Sequence, residues 1–203
     1  MVLYQKQIML EKDRCLKKNN LIFFIKIIFF IFFIDCALAG SLNQKENIIN
    51  YITSLENFSA NFIQSDVSSV EEGIVYIGKK RIRANYFYPS KITLVMDKNK
   101  AMFVNHDLKE VEYFNPRNSS AGIFFDIFQN KMVLLESQIK IEKNSIILIN
   151  RTNYNDTFYN ISVYFEKNPN ILRKININYD EVNLNLSFFN HNFNNTFEKK
   201  FFS

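Results

Sequence analysis

The sequence predicts a mainly β protein with a few helices (α+β): an unclosed antiparallel β-barrel, or strongly curved sheet of about ten strands, covered by a helical lid. Three observations point there. From about residue 58 onward, apolar residues recur mostly with a period of two, the signature of half-buried strands. The alternating runs are short and separated by tight polar turns, so consecutive strands pair antiparallel. Two stretches, within 47–57 and 119–137, switch to helical spacing. About ten paired strands do not stay flat, because their twist accumulates until the sheet curls.

The first forty residues read as an address. Lys12, Arg14, Lys17 and Lys18 precede an apolar run from Leu21 to Ile34, interrupted only by Lys26, and Ala37-Leu38-Ala39 follows. That order is a secretory signal peptide, with cleavage expected after Ala39 and export to the periplasm. The domain division is therefore 1–39 as leader and 40–203 as a single domain. The run falls short of the roughly 20 apolar residues of a bilayer crossing. Retention as an anchor and lipid attachment at Cys36 are the alternatives; the charged Asp35 before Cys36 argues against the second. With Cys15 and Cys36 the only cysteines, cleavage leaves no disulfide and no thiolate metal site.

The elements follow in order. Ile48, Ile49, Ile52 and Leu55 make one apolar helix face. Ala60, Phe62 and Gln64 then alternate with Asn61, Ile63 and Ser65, and strands are expected at Gly73–Gly78 and Arg81–Tyr88. Ile92, Leu94 and Met96 form the next apolar face. A turn at Asp97-Lys98-Asn99 carries that face on through Met102 and Val104. Val111 and Tyr113 close the first series. Ile123, Phe124, Ile127 and Phe128 sit at helical spacing, and 131–136 adds a further turn. Strands return around 139–141, 146–149, 158–165, 172–179 and 184–188.

The chemistry inventory is mostly negative. The two histidines, His106 and His191, fall in expected turns, and without cysteine they make no zinc site. No phosphate-binding glycine loop, nucleophile elbow or dinucleotide fingerprint is present. Asp97 and Asp107 sit at hairpin tips for backbone reasons. No enzymatic activity, cofactor or metal is therefore expected. The net charge of +5 is concentrated at the start: residues 1–39 hold 6 basic and 3 acidic residues, leaving +2 for the remainder. Lys79, Lys80, Arg81 and Arg83 form the densest basic group, yet alternation puts Arg81 and Arg83 on a solvated outer face, so nucleic acid is not an expected partner. What remains is apolar surface. A curved sheet with few helices offers a concave face that can hold a lipophilic ligand. Its candidate lining is Ile82, Ala84, Tyr86, Ile92, Leu94, Met96, Met102 and Val104, with Ile123, Phe124, Ile127 and Phe128 from the helical insertion.

The order of these segments resembles the periplasmic outer-membrane lipoprotein carrier family, LolA. The resemblance starts with the early helix and Phe58-Ser59-Ala60-Asn61-Phe62-Ile63-Gln64, similar to the family's A-x-F-x-Q strand. It continues through Gly73-Ile74-Val75-Tyr76-Ile77, then Ile82-Arg83-Ala84-Asn85-Tyr86 with Pro89, and Ile92 to Asp97. The insertion at Ile123–Phe128 occupies the place of the family's lid helices, and Phe193 to Phe201 its tail. The family's lid-holding Arg-Pro pair is replaced by Gly78-Lys79, which leaves Lys79, Lys80 or Arg81 as latch candidates.

The resemblance implies a monomeric chaperone. It would take acylated lipoproteins from an inner-membrane ABC transporter and pass them to an outer-membrane receptor. A membrane-anchored lipoprotein receptor or lipid-sensing regulatory protein of the same fold is the alternative. The physics suits a carrier: an acyl chain of about 15 carbons costs on the order of 12 kcal/mol to leave in water.

Overall fold

The structure is a computed structural model that describes residues 43–130, 132–154, 156–198 and 200–202. The expected leader, its cleavage point and both cysteines lie outside the described residues. The chain divides into two compact units, Met1–Gln44 and Lys45–Ser203. The second contains the whole sheet.

Eleven strands form one sheet, every neighbouring pair antiparallel. In chain order they are β1 (Phe58–Ser65), β2 (Val70–Gly78), β3 (Arg81–Tyr88), β4 (Ile92–Met96), β5 (Ala101–Asn105) and β6 (Glu110–Phe114). After the helical segment come β7 (Gln138–Ile141), β8 (Ser145–Tyr154), β9 (Thr157–Glu166), β10 (Ile171–Tyr179) and β11 (Val182–Asn192). The spatial order is β6-β5-β4-β3-β2-β1-β11-β10-β9-β8-β7. The first and last strands therefore lie side by side in the middle, and β6 and β7 are the two edges. A strap joins those edges: a 3-10 turn at Pro116–Asn118, helix α2 (Ser120–Gln129) and the single turn α3 (Met132–Leu135). A preceding helix, α1, is helical over 43–53.

The helices bury their apolar stripes against the sheet. Ile48 and Ile52 of α1 and Ile123 and Ile127 of α2 are shielded from water with Ile77, Ile82, Ile146, Leu148, Phe165 and Ile175 of the strands. Each such side chain contributes roughly 1.5–3 kcal/mol when fully buried. Tyr51 of α1 adds a polar tie, its hydroxyl accepting from the Leu172 N–H at 3.2 Å. Ring contact with Phe165 follows, at a centroid separation of 6.2 Å. The strap is held at its far end by Lys45, whose Nζ donates to the carbonyls of Leu135 (2.5 Å) and Ser137 (2.6 Å). Asn150, buried on β8, donates to the Val133 carbonyl at 2.9 Å.

Two glycines permit close approaches. An added Cβ at Gly73 would lie 2.5 Å from the Asn85 carbonyl oxygen and 2.6 Å from the Phe62 ring. At Gly78 it would lie 2.6 Å from the ring of Phe202, which rests on the outer face. That tail contact changes the expected role of the basic strand. Arg81 and Arg83 do face outward, but they are not simply solvated: Arg81 Nη1 donates to the Phe202 carbonyl (2.9 Å) and Arg83 Nη1 to that of Phe201 (2.7 Å). The Arg83 guanidinium also stands 5.0 Å from the Phe201 ring centroid. His191 differs too. It lies within β11 rather than in a turn, half-buried, and its Nε2 donates to the Leu172 carbonyl at 2.8 Å. Burial holds its pKa below the usual imidazole value.

Gly73→Ala should destabilise the fold by about 1–3 kcal/mol, since backbone on one side and a core ring on the other leave the methyl no room. Thermal unfolding checks this; a melting temperature equal to that of the parent would contradict the close approach.

Candidate functional site

The concave face is mostly filled by its own helices, but an apolar cavity of about 310 Å³ remains. It lies over the junction of β1 and β11 and under the first turns of α2. Phe62, Val75, Ala84, Leu94, Met96, Leu186 and Phe188 supply its apolar wall, and Ser120, Ala121 and Phe124 of α2 its cover. Gln64, Asp66, Tyr86, Tyr179, Val182 and Leu184 line the rest. Asp66 and Val182 are exposed, which places the opening at the end of the sheet where β1 turns into β2 and β10 into β11.

The expected lining residues divide into three groups. Ala84, Tyr86, Leu94, Met96 and Phe124 line the cavity. Ile82, Ile123, Ile127 and Phe128 point to the same side but are packed into the core beneath it. Ile92 also shares that face, opposite Tyr86, without lining the cavity. Met102 and Val104 lie on the other side of the sheet and require correction. A three-residue turn at 97–99 would pair Met96 with Lys100 and keep even-numbered residues inward. Instead Asp97 pairs with Lys100 (N···O 2.9 Å) around a two-residue turn, and Met96 is opposite Ala101. A shift of one residue turns every side chain over, so Ala101 and Phe103 face inward, while Met102 and Val104 pair with the outward Val95 and Thr93.

Sequence reasoning missed the contribution of β1, β10 and β11. Phe62 and Gln64 alternated on one face, as did Leu184, Leu186 and Phe188, but nothing local signals that these two runs pair. Their register sets Phe62 opposite Phe188 and Gln64 opposite Leu186.

The opening has a polar side built by cross-strand neighbours. Gln64 and Glu71 are directly paired, and Gln64 Nε2 donates to Glu71 Oε2 at 2.6 Å. The Tyr86 hydroxyl donates to Gln64 Oε1 at 3.2 Å. To reach β1 from β3, Tyr86 must cross β2, and it does so over Gly73, meeting Phe62 edge to face at 5.0 Å. Burial, and then the nearby Glu71 carboxylate, push the Tyr86 phenol up. Burial and then Asp66 likewise raise Glu71, while the backbone N–H groups of Ser68 and Ser69 hold Asp66 low.

The latch expected from Lys79, Lys80 or Arg81 is made differently. Arg81 pairs with Gly78 on the outward side of β3, so its side chain turns to the tail and cannot reach the helix. The tie comes from α2 itself: Gln129 Nε2 donates to the Gly78 carbonyl (3.1 Å), and Gln129 Oε1 accepts the Lys80 N–H (3.2 Å). Lys80 takes part through its backbone, in a turn where it adopts φ 58°.

Because all strands are antiparallel, the turns fall at two ends. At the cavity opening they carry Asp66, Asp107, Asp156, Asp180 and Glu181 against Lys91 and Lys109. At the opposite end they carry Lys79, Lys80, Lys98, Lys100, Lys143 and Lys167 against Asp97 and Glu142.

Glu71→Gln should raise thermal stability at neutral pH, since the folded state disfavours this carboxylate. A raised folded pKa means the deficit is full above that pKa and absent below the unfolded value. The variant's advantage should therefore shrink as pH falls through the range of Glu71. Melting curves at a series of pH values measure it, and an advantage unchanged by acid would contradict the assignment.

Comparison with known proteins completes the picture. An uncharacterized conserved protein from Thermus thermophilus shares the fold, with a TM-score of 0.53 at 10% identity over 79% of this chain and 92% of that one. LprF from Mycobacterium bovis gives a TM-score of 0.42 at 9% identity, over 75% and 93%. MucB gives 0.47 at 9%, over 79% and 62%. No curated protein matches the sequence. Residues 53–203 match the family described as outer membrane lipoprotein carrier protein LolA, and the chain belongs to that family.

Proposed function

We propose that this protein is a periplasmic carrier that shelters the acyl chains of lipoproteins in the cavity over β1 and β11. It takes them from an inner-membrane ABC transporter and delivers them to an outer-membrane receptor, without chemical catalysis. The observation that carries this reading is an apolar cavity covered by a helix with one polar side-chain clamp at its end. Phe62, Leu94, Phe124 and Phe188 offer contact without fixed polar anchors in the depth. Such a wall holds alkyl chains by exclusion from water, at about 0.8 kcal/mol per methylene.

The volume supports a movable cover. About 310 Å³ is at the low end of the roughly 300–1,000 Å³ of small-ligand sites. Further chain length enters only as α2 lifts, and lifting it breaks the two Gln129 hydrogen bonds. Each contributes about 0.5–1.5 kcal/mol net; the larger cost of lifting is the re-exposure of side chains such as Ile123 and Ile127, which buried cargo methylenes have to offset.

The direct experiment incubates the protein with membranes bearing a labelled lipoprotein and an active transporter. Label should become soluble in complex with the carrier. Leu94→Glu should cut that release by about tenfold or more, because a charge would be desolvated in the cavity. Met102→Glu, on the opposite face, should change it less than about twofold. Equal losses in both variants, or no soluble label with the parent, would reject the reading.

The clamp has its own test. Gln129→Ala should cost about 1–2 kcal/mol and speed hydrogen exchange at the Lys80 amide. Exchange at Lys80 identical to the parent would show that Gln129 does not hold the helix.

A further inference from the structure

We infer that the opening of the cavity selects its cargo by charge: it favours acyl chains whose polar end is cationic or rich in N–H donors, and disfavours chains ending in a carboxylate or phosphate. This rests on the reading of the cavity as an acyl-chain site and specifies its ligand.

The depth of the cavity is apolar, but its opening is not neutral. Asp66 lines it, and Glu71 stands beside it, hydrogen-bonded to the lining Gln64 at 2.6 Å. Asp180 and Glu181 form the turn between Tyr179 and Val182, both of which line the cavity. Among the described residues, no Lys or Arg is part of the lining. The Asp66 carboxylate adds to burial in raising Glu71, while the backbone and hydroxyl donors of Ser68 and Ser69 hold Asp66 ionised. Glu71 is half-buried, so solvent screens it incompletely.

A ligand cation, or the amide N–H groups of an acylated polypeptide, would supply the missing positive charge. A carboxylate or phosphate head would add like charge at short range in a site with reduced solvent. Membrane lipids with anionic heads greatly outnumber any cargo, so a carrier open to all acyl chains would fill with them. An acidic opening disfavours that competitor through repulsion, while the apolar wall treats every chain alike.

The test compares amphiphiles that share a dodecyl chain: dodecyltrimethylammonium, dodecyl maltoside and dodecanoate. Each is titrated into the protein below micelle formation, at neutral pH, in low and high salt, with affinity read by calorimetry. The ammonium should bind about tenfold or more tightly than the carboxylate at low salt, with the maltoside between, and the gap should narrow in high salt. Asp66→Asn combined with Glu71→Gln keeps the shapes and hydrogen-bond acceptors. It should reduce the ratio below about threefold and still bind the maltoside, which reports that the cavity is intact. Equal affinity for all three heads overturns the charge selection and leaves the acyl cavity standing. A ratio undiminished in the double variant overturns the assignment to Asp66 and Glu71. Failure of all three to bind overturns the acyl-chain reading and this inference together.

Discussion

The pairing of β1 with β11 is the constraint on which the rest of the molecule depends. Each half of the chain, on its own, is a meander with two open edges. The ladder from Ser59–Asn192 to Ser65–Asn185 joins the halves through strands more than a hundred residues apart. Because the seam sits in the middle of the sheet, β6 and β7 become the outermost strands, and the chain between them must cross the concave side. That crossing is the strap carrying α2. The cavity lies over the seam because the inward residues of β1 and β11 meet the cover there. Fold, cover and cavity are thus consequences of one long-range ladder, which costs loop-closure entropy before any contact compensates it.

The cover is held by unlike devices in its two helical segments. Around α3 the ties are numerous: Lys45 caps two carbonyls, Asn150 a third, and Leu134 is fully buried. At the end of α2 the polar tie is the Gln129 amide, bonded to both sides of the β2–β3 turn. A side-chain amide suits this position, since its donor and acceptor match a backbone carbonyl and N–H without burying charge. An arginine would be a stronger and more directional holder. In this chain the tie comes from the helix, not from a strand side chain.

Much of the fold was legible because its signals are local. Alternation located β3 and β4, and the helical spacing of Ile123, Phe124, Ile127 and Phe128 located α2. The face of each strand was readable until a turn had to be counted. At 97–100 the difference between two and three loop residues sent Met102 and Val104 to the wrong side, and sequence alone does not separate those turns when Asp, Lys and Asn suit both. Gln64, Leu186 and Phe188 were unreadable for another reason: their role exists only once β1 meets β11. Arg81 and Arg83 lay between these cases. Their outward direction followed from alternation, but their partners are carbonyls of a tail over a hundred residues away.

The turns at the two ends of the sheet have a consequence for how neighbours perceive this molecule. A nine-residue strand such as β2 spans roughly 30 Å, about three to four Debye lengths at physiological salt. Opposite signs that far apart do not cancel for anything close by. A surface approaching one pole meets lysines, and one approaching the other meets carboxylates. The modest overall charge is then an average that no contacting body experiences, and the orientation of an encounter, more than its frequency, is what electrostatics governs here.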